Sequence, residues 1–292
     1  MDNPLVSIIT PTYEREDFIE EAVNSALGQT YKNIELLVID DGSTDGTVDK
    51  LKQYESDPRF NYFYQDNQGQ STARNKGLSI AKGEFVCFLD SDNHWAKNKI
   101  EESLKLFEIY PDTDIVYANV TLIDEHGTEI STENMTRHSG NISKYLLRDN
   151  CVSFNTAMVR KKSIDEISGF DSTLRRADDY DFWLRLSAKN KFLYVPQYWA
   201  YYRVMENQIS SNKDARFEAN ELIMNKFISK SEHQLKSKDI NQSRAYFYNR
   251  RGRYYGSEGR TFEAIRDFIK AIRLYPSFKG AWRGLFKLFM QR

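Results

Sequence analysis

The sequence predicts an α/β protein with a mostly parallel central sheet and flanking helices, followed by a small α-helical region. Apolar runs of strand length alternate with runs of helical periodicity, which is typical of a parallel sheet. The apolar runs are nearly continuous, as expected for strands buried on both faces. Residues 216–292 hold 17 Lys and Arg against 7 Asp and Glu, whereas residues 1–215 hold 24 against 35. We therefore predict an α/β domain over 1–215 and an α-helical region over 216–292.

The elements of the first domain follow one another in a regular order. Strands are predicted at LVSIIT (5–10), IELLVID (34–40), FNYFYQ (60–65) and EFVCFLD (84–90). Helices are predicted at 17–29, near 45–55 and at 71–83. The first helix ends at Gly28, and the third has a Ser/Thr start and a Gly end, as expected for a capped helix. Farther along, TDIVYANVTLIDEHGTEI predicts a strand, a turn and a second strand.

Polar clusters follow each of the four predicted strands. In chain order they read PTYER, DDGSTD, QDNQGQSTARN and DSDNHW. Ligands of doubly wound sheets bind beyond the carboxyl ends of the strands, where the connecting loops diverge. We therefore expect the four loops to build one cleft.

The fourth cluster places two carboxylates at the exit of an apolar strand. Side chains at positions i and i+2 of an extended segment point the same way, so Asp90 and Asp92 are expected to converge. Two converging carboxylates favour a hard cation. The alternative is a solvated turn in which Asp and Asn supply local hydrogen bonds.

Composition excludes several classes of protein. The hydrophobic content of 40% and charged content of 28% are those of an ordinary globular chain, and no apolar stretch approaches a membrane span. MDNPLVSIITPTY lacks the basic region of a signal peptide, which favours a cytoplasmic location. Cys87 and Cys151 predict reduced structural thiols, and the histidines lack ligand spacing. The chain contains neither a GxxxxGK[ST] nor a GxGxxG loop, and its first strand lacks a DxDx[TV] phosphatase motif.

The ordered set of motifs resembles a family 2 glycosyltransferase of the GT-A fold. The set runs from about residue 5 to 212 and reads SIITPTYER, LLVIDDGSTDGT, NQGQSTARNKG, FVCFLDSDN, GFD, ADDYDFWLRL and YYRVMENQIS. The resemblance implies transfer of a sugar, of hexosyl type, from a nucleotide-diphosphate sugar to an acceptor hydroxyl, generally with inversion. It also implies Mn²⁺ or Mg²⁺, a UDP-sugar as the favoured donor, and a saccharide or lipid-linked saccharide acceptor.

The resemblance also assigns roles to individual positions. Tyr13 would stack on the nucleotide base, Asp41 would accept a hydrogen bond from it, and Asp92 would hold the metal. Arg74 would contact the nucleotide or its phosphates. The alternative for Asp41 is an Asx turn, and the alternative for Arg74 is a solvent-exposed charge on a helix. The full set of nucleotide-binding positions implied in this way is Pro11, Thr12, Tyr13, Glu14, Asp41, Gly69, Arg74, Asp90 and Ser91.

The ADDYDFWLRL segment supplies the acid that the resemblance implies as catalytic base, namely Asp179. The alternative for Asp179 is an N-terminal helix cap. Asp181 is interpreted as a helix charge that is favourable to the dipole, and Asp178 stands where the family usually has Glu. Met205 stands where the family commonly has His, and a thioether is a poor ligand for these cations. Arg203 is a further candidate phosphate contact.

The C-terminal part resembles a tetratricopeptide repeat around 244–278. Gly252 and Pro276 stand at the Gly and Pro positions of the repeat pattern. The alternative is a helical hairpin packed on the first domain. The basic, aromatic tail GAWRGLFKLFMQR suggests contact with a protein or with the inner face of the cell membrane. Nucleic acid is not expected as a partner.

Two other functions remain open from the sequence. One is a nucleotidyltransferase, whose related sheet also holds a nucleotide and acidic metal ligands. The other is a non-catalytic sugar-nucleotide-binding or scaffold protein that acts through its helical tail.

Overall fold

The protein is described by a computed structural model that covers residues 3–132, 135–205, 212–230 and 235–290. The strands are β1 (Val6–Thr12), β2 (Ile34–Asp40), β3 (Phe60–Tyr64), β4 (Phe85–Phe88), β5 (His94–Trp95), β6 (Ile115–Ile123), β7 (Glu129–Thr132), β8 (Met158–Arg160) and β9 (Phe192–Arg203). The helices are α1 (Ile19–Leu27), α2 (Thr47–Leu51), α3 (Gln70–Ile80), α4 (Lys99–Ile109), α5 (Ser143–Leu146), α6 (Lys161–Glu166), α7 (Asp178–Ser187), α8 (Lys213–Ser229), α9 (Ser237–Ser257), α10 (Thr261–Leu274) and α11 (Lys279–Met290).

All the strands belong to one mixed sheet in the order β3-β2-β1-β4-β8-β6-β9-β5, with β7 paired to β6. Strands β3, β2, β1 and β4 are parallel neighbours, as the alternation of strands and helices predicts. Strand β8 runs antiparallel to both β4 and β6, and β6 is parallel to β9. The carboxyl ends of β1, β2 and β4 therefore lie side by side at one edge of the sheet.

The sheet is covered on both faces. Side chains alternate along a strand, so neighbouring residues enter different cores. Leu36 and Val38 of β2 belong to one buried cluster, and Leu37 and Ile39 belong to the other. This burial explains why the strands read as continuous apolar runs rather than as alternating ones.

Helix α3 differs at both ends from its prediction. Its N-cap is Gly69, with a φ of 94°, and no side chain supplies the cap, so the predicted Ser/Thr start is wrong. The helix also ends at Ile80, before Gly83. Gly83 serves another purpose, because a Cβ there would lie 2.5 Å from the backbone nitrogen of Ser7. It therefore lets the backbone pass close to β1.

The C-terminal helices share a core with the α/β domain. Met224 and Phe247 belong to the same buried cluster as Val86 of β4. The Ser243 hydroxyl also donates a hydrogen bond to the carbonyl oxygen of Lys144 at 2.9 Å. Helices α9 and α10 thus form a hairpin packed on the first domain, and the resemblance to a tetratricopeptide repeat stays a prediction. Among the described residues, no helix has both the length and the apolar character needed to cross a bilayer.

Candidate active-site cleft

A cleft of about 870 Å³ opens at the carboxyl ends of β1, β2 and β4. It collects nearly all the positions that the sequence predicted for donor, metal and base. Those that line it are Pro11, Thr12, Tyr13, Asp41, Gly69, Arg74, Asp90, Ser91, Asp92 and Asp179. The expected convergence of loops on one cleft is therefore seen in the structure.

Asp90 and Asp92 lie in a turn and not in an extended segment. Strand β4 ends at Phe88, and the amide of Asn93 donates to the carbonyl oxygen of Asp90 at 3.0 Å. The predicted i, i+2 alignment on a strand is wrong, because the chain has already left the sheet. The two side chains nevertheless line the same cleft, since the turn itself forms part of the wall.

The turn is held in place by Asn155. Its side-chain oxygen accepts from the Asp90 amide at 2.7 Å, and its amide nitrogen donates to the Asp90 carboxylate at 2.9 Å. The carbonyl oxygen of Asn155 accepts in turn from the Trp95 indole at 2.6 Å. Asn155 was missed at the sequence level, because it lies 65 positions from Asp90 in a segment without a recognisable pattern.

The Asp92 carboxylate is the least compensated acid of the cleft. Burial, together with the neighbouring Asp90, raises the pKa of Asp92 to about 6. Within the described parts of the chain no side chain donates a hydrogen bond to the Asp92 carboxylate. The nearest cation in those parts is Arg15, whose Nε lies 3.8 Å from Asp92 Oδ2. A half-buried carboxylate of this kind fits a hard, oxygen-ligated cation, whose charge would favour the ionised form.

Arg203 does not face the cleft, so its interpretation as a phosphate contact is wrong. Its guanidinium donates to three carbonyl oxygens, those of Asp92 at 3.1 Å, Asp124 at 3.1 Å and Glu125 at 2.9 Å. It also pairs with the carboxylate of Glu21. These contacts occupy the Arg203 guanidinium, which therefore helps to hold the turn that carries Asp90 and Asp92.

Met205 follows the end of β9 and is half-buried. The neighbouring Val204 lines the cleft, whereas Met205 does not. The remainder of the YYRVMENQIS motif, at 206–210, lies outside the described residues. The substitution of His by Met thus removes a candidate ligand without putting a thioether in the cleft wall.

Arg74 is buried, so the alternative of an exposed helix charge is wrong. Its two terminal nitrogens lie 2.6 Å from the Asp178 carboxylate and 2.8 Å from the Asp90 carboxylate. The guanidinium also stacks 4.3 Å above the ring of Phe154. The Ser71 hydroxyl donates to the same Asp178 oxygen at 2.9 Å. Asp178, where the family usually has Glu, therefore ties α7 to α3.

Asp41 orders the loop that enters α3. Its carboxylate accepts from the backbone amides of Gln68 at 2.9 Å and Gly69 at 2.7 Å. The turn after β2 is instead held by Asp40, whose carboxylate accepts from the Ser43 amide at 2.9 Å. Asp41 thus builds the cleft floor and also lines it.

Glu14 does not line the cleft, unlike the other positions predicted to bind the nucleotide. Its carboxylate accepts from the amide and the hydroxyl of Thr44, each at 2.9 Å. It therefore ties the loop after β1 to the loop after β2. Tyr13 remains 46% exposed at the cleft, so its ring is available for stacking.

Asp179 lies in the first turn of α7 and is half-buried at the cleft. The N-cap of this helix is Ala177, with a φ of 54°, so the alternative of Asp179 as the cap is wrong. Asn150 donates to one Asp179 carboxylate oxygen at 2.8 Å. Burial and the nearby Asp178 raise the pKa of Asp179 to about 6. Asp181, predicted as a helix charge, is buried and paired with Arg185 at 2.6 Å.

Arg15 and Asn150 line the cleft but were not among the predicted site residues. Arg15 belongs to the PTYER cluster, so the end of β1 was a usable signal for it. Asn150 carries no comparable signal, because it is brought to Asp179 from 29 positions away.

Comparison with known proteins identifies the family. A model described as "Glycosyl transferase family 2" matches residues 7–168, more than half of the chain. The chain belongs to glycosyltransferase family 2. The putative teichuronic acid biosynthesis glycosyltransferase TuaG of Bacillus subtilis is 35% identical to it over 218 residues, which cover 72% of this chain and 83% of TuaG. The chain spans only 26% to 31% of the length of three uncharacterized Rickettsia glycosyltransferases that it also matches.

Solved structures show that this family 2 glycosyltransferase has the GT-A fold. The Staphylococcus aureus TarS 1–349 complex with UDP superposes with a TM-score of 0.69 at 21% identity, covering 93% of this chain and 81% of that one. The mannosyltransferase PcManGT of Pyrobaculum calidifontis, in complex with GDP-Man and Mn²⁺, gives a TM-score of 0.67 at 19% identity. That match covers 98% of this chain and 80% of PcManGT.

Proposed function

We propose that this family 2 glycosyltransferase moves a hexosyl group from a nucleotide-diphosphate sugar, with UDP favoured, to an acceptor hydroxyl with inversion. The acceptor would be a saccharide or a lipid-linked saccharide in polysaccharide or glycoconjugate assembly. The observation that carries the proposal is that one cleft is lined by the acidic turn at Asp92 and by the acid Asp179. The UDP complex of TarS and the name of TuaG agree with it.

The donor would occupy the part of the cleft between the ends of β1 and β2. Tyr13 offers an exposed aromatic face for the base, and Asp41 offers carboxylate oxygens that can accept from it. The positive φ of Gly69 opens the entry to α3, and open space surrounds its missing side chain. Phosphates can therefore approach the backbone closely at this point.

Asp92 would hold Mn²⁺ or Mg²⁺, and Asp90 would contact the sugar or ribose. When bound, such a cation stabilises the charge that develops on the diphosphate leaving group. The protein itself fixes the turn that carries Asp92. Asn155 accepts a hydrogen bond from the Asp90 amide, and Arg203 donates one to the Asp92 carbonyl oxygen. Mutation of either support would be expected to loosen the site.

Asp179 would act as the base. As the acceptor oxygen bonds to the anomeric carbon, the bond from that carbon to the diphosphate oxygen breaks, and the hydroxyl proton passes to the Asp179 carboxylate. Attack opposite the leaving group inverts the anomeric centre. Asn150 occupies one carboxylate oxygen and so fixes the orientation of the group.

A change of Asp92 to Asn tests the metal site. We expect UDP with Mn²⁺ to raise the melting temperature of the wild-type protein, because a ligand that binds only the folded state stabilises it by about 2.7 kcal/mol at a hundredfold excess over Kd. The gain should fall sharply in Asp92→Asn. The measurement is a thermal shift assay with UDP, dTDP, GDP and CDP, each with and without Mn²⁺.

Asp66→Asn is the control for this experiment, because Asp66 is exposed beside the cleft and does not line it. It should keep the full metal-dependent gain. An equal gain in Asp92→Asn would show that Asp92 does not hold the metal. If none of the four nucleoside diphosphates raises the melting temperature of the wild-type protein, the proposed donor class is wrong.

The non-catalytic alternative predicts donor binding without turnover. It is separated from the enzyme by measuring release of UDP and transfer of sugar to a saccharide acceptor. The nucleotidyltransferase alternative is disfavoured by the family 2 match, which begins in the first strand.

Helix α11 would contact an anionic membrane surface. Four of its large apolar side chains are exposed and recur at helical spacing on one face, while Leu285 and Leu288 pack on the hairpin of α9 and α10. The four exposed side chains are Trp282, Phe286, Phe289 and Met290, which are between 52% and 71% exposed. Lys279, Arg283 and Lys287 recur every four residues, and each basic side chain near an anionic surface contributes about 1 kcal/mol.

Cosedimentation with vesicles tests this contact. We expect the chain to bind phosphatidylglycerol vesicles but not phosphatidylcholine vesicles, and to lose most binding in the triple variant Trp282→Ala/Phe286→Ala/Phe289→Ala. Tyr110→Ala, which removes an aromatic side chain that is 50% exposed, is the matched control. Unchanged binding after deletion of 280–292 would refute the contact.

A further inference from the structure

A second cavity, of about 300 Å³, lies between α9 and the segment that follows α5. We call it the arginine cavity. The residues that line it are Arg148, Asp149, Tyr246, Asn249, Arg250 and Arg253. None of them was assigned a role from the sequence.

The cavity arises from one face of α9. Residues 246, 249, 250 and 253 are spaced by three, one and three positions, so they share one side of the helix. This side is pressed against the segment that carries Arg148 and Asp149. The α/β domain and the C-terminal helices therefore each contribute a wall.

The arginine cavity has an excess of positive charge, because its described lining contains three arginines and only one acidic residue. Three guanidinium groups face one carboxylate, that of Asp149, which pairs with Arg250. Within the described residues, neither Arg148 nor Arg253 forms an ion pair. Arg148 instead stacks 4.7 Å from the ring of Tyr246. Planar guanidinium groups suit the bidentate recognition of phosphate oxygens.

Buried polar atoms in the same place also lack a partner. The Nε atoms of Arg148 and Arg250 are buried without a hydrogen-bond acceptor among the described residues. The side-chain oxygen of Asn249, a residue that is 8% exposed, is likewise unpaired. Buried polar groups normally find partners, so the two unpaired Nε donors favour a ligand with acceptor atoms such as phosphate oxygens, whereas the Asn249 oxygen needs a donor, which a glycan hydroxyl can supply.

The arginine cavity adjoins the cleft. Asp149 lines both spaces, and the next residue, Asn150, donates to Asp179. A group bound by the arginines would therefore sit on the side of the cleft where Asp179 lies, away from the donor side at Tyr13 and Asp41. An acceptor that enters the cleft on this side would pass close to Arg148 and Arg253, so its anionic groups would meet these two arginines.

We propose that the arginine cavity binds a phosphate group of the acceptor, so that the acceptor substrate is an anionic, phosphate-bearing glycan or glycolipid. The assignment to an acceptor rests on the proposed glycosyltransferase function. Arg148, Arg250 and Arg253 are positioning residues for the acceptor and do not take part in the bond changes. The phosphate could belong to a phosphodiester-linked chain or to a lipid-linked headgroup, which share this chemistry.

The test is calorimetric titration of the full chain with a synthetic trimer of glycerol phosphate, with uncharged triglycerol as the matched probe. We expect the trimer to bind and triglycerol not to bind. The double variant Arg148→Gln/Arg253→Gln should weaken trimer binding at least about tenfold, since hydrogen bonds to charged groups are worth about 1.5–3 kcal/mol each. Neither arginine has an ion-pair partner to leave unpaired, so folding should be preserved.

Arg273→Gln/Lys189→Gln removes two exposed positive charges outside the arginine cavity and is the control for net charge. It should leave trimer binding unchanged. Equal trimer affinity in the double variant and the wild type, or no trimer binding at all, would overturn the proposal. Binding of the double variant to UDP with Mn²⁺ should equal that of the wild type. Failure of UDP to bind the wild type would instead refute the donor site, whatever the trimer does.

Vesicles containing phosphatidylglycerol distinguish the two sources of phosphate. Vesicle binding that depends on Arg148 and Arg253 would assign the site to a lipid-linked headgroup. Trimer binding that depends on these arginines, with vesicle binding that does not, would assign it to the glycan chain.

Discussion

Replacement of Asp179 by Asn is expected to lower the rate of sugar transfer by about 10²–10⁴-fold, the range typical of a lost general base. The amide is close in size to the carboxylate and can still accept the hydrogen bond from Asn150. The affinity for UDP with Mn²⁺ should be unchanged, because Asp179 is proposed to act on the acceptor and not on the donor. The measurements are steady-state transfer rates and calorimetric titration of UDP.

The same residue should set the pH dependence of transfer in the wild-type enzyme. The pKa of Asp179 is raised to about 6, so the group is protonated below that pH and cannot accept the acceptor proton. We expect the rate to fall about tenfold per pH unit below pH 6 and to level off above it. At saturating Mn²⁺, which keeps the Asp92 carboxylate ionised although its pKa is also raised to about 6, this limb should be absent from the residual activity of Asp179→Asn.

Asp112→Asn is the matched control, because the Asp112 side chain is 87% exposed. It should retain wild-type rates across the pH range. An Asp179→Asn enzyme with an unchanged rate would place the base elsewhere in the cleft. Simultaneous loss of UDP affinity would instead indicate a disturbed cleft.

Replacement of Arg74 by Met is expected to destabilise the fold by about 3–5 kcal/mol, the cost of breaking a buried ion pair from one side. Met fills a similar volume, but it leaves the carboxylates of Asp178 and Asp90 without their cation. Urea denaturation with circular dichroism would measure the loss. Lys76→Met on the same helix should cost less than about 1 kcal/mol, since Lys76 makes only an exposed hydrogen bond.

A double-mutant cycle identifies the cause of that loss. In the Arg74→Met background, Asp178→Asn should cost less than it does in the wild type, because the unpaired charge has been removed. Equal costs in the two backgrounds would show that Arg74 and Asp178 are not coupled. A loss below about 1 kcal/mol for Arg74→Met itself would contradict the buried network.

Much of the fold could be predicted because local patterns determine it. The strand at Ile34–Asp40 has the predicted bounds, since a run of buried apolar residues between turn signals is a local property. The ends of α3 could not be predicted in the same way. The loop that leads into α3 is fixed by Asp41, which comes from the end of another strand and accepts from the amides of Gln68 and Gly69, and the helix begins at Gln70 without a Ser/Thr cap.

Within the site, the sequence determined by itself which loops meet, because the carboxyl ends of parallel strands share one edge of a sheet. That rule brought Tyr13, Asp41 and Asp92 into one cleft. Only the tertiary structure decided what each side chain does there. Arg74 pairs with Asp178 across 104 positions, and Arg203 reaches the Asp92 carbonyl across 111. Contacts of that separation depend on how the layers pack, which no local spacing encodes.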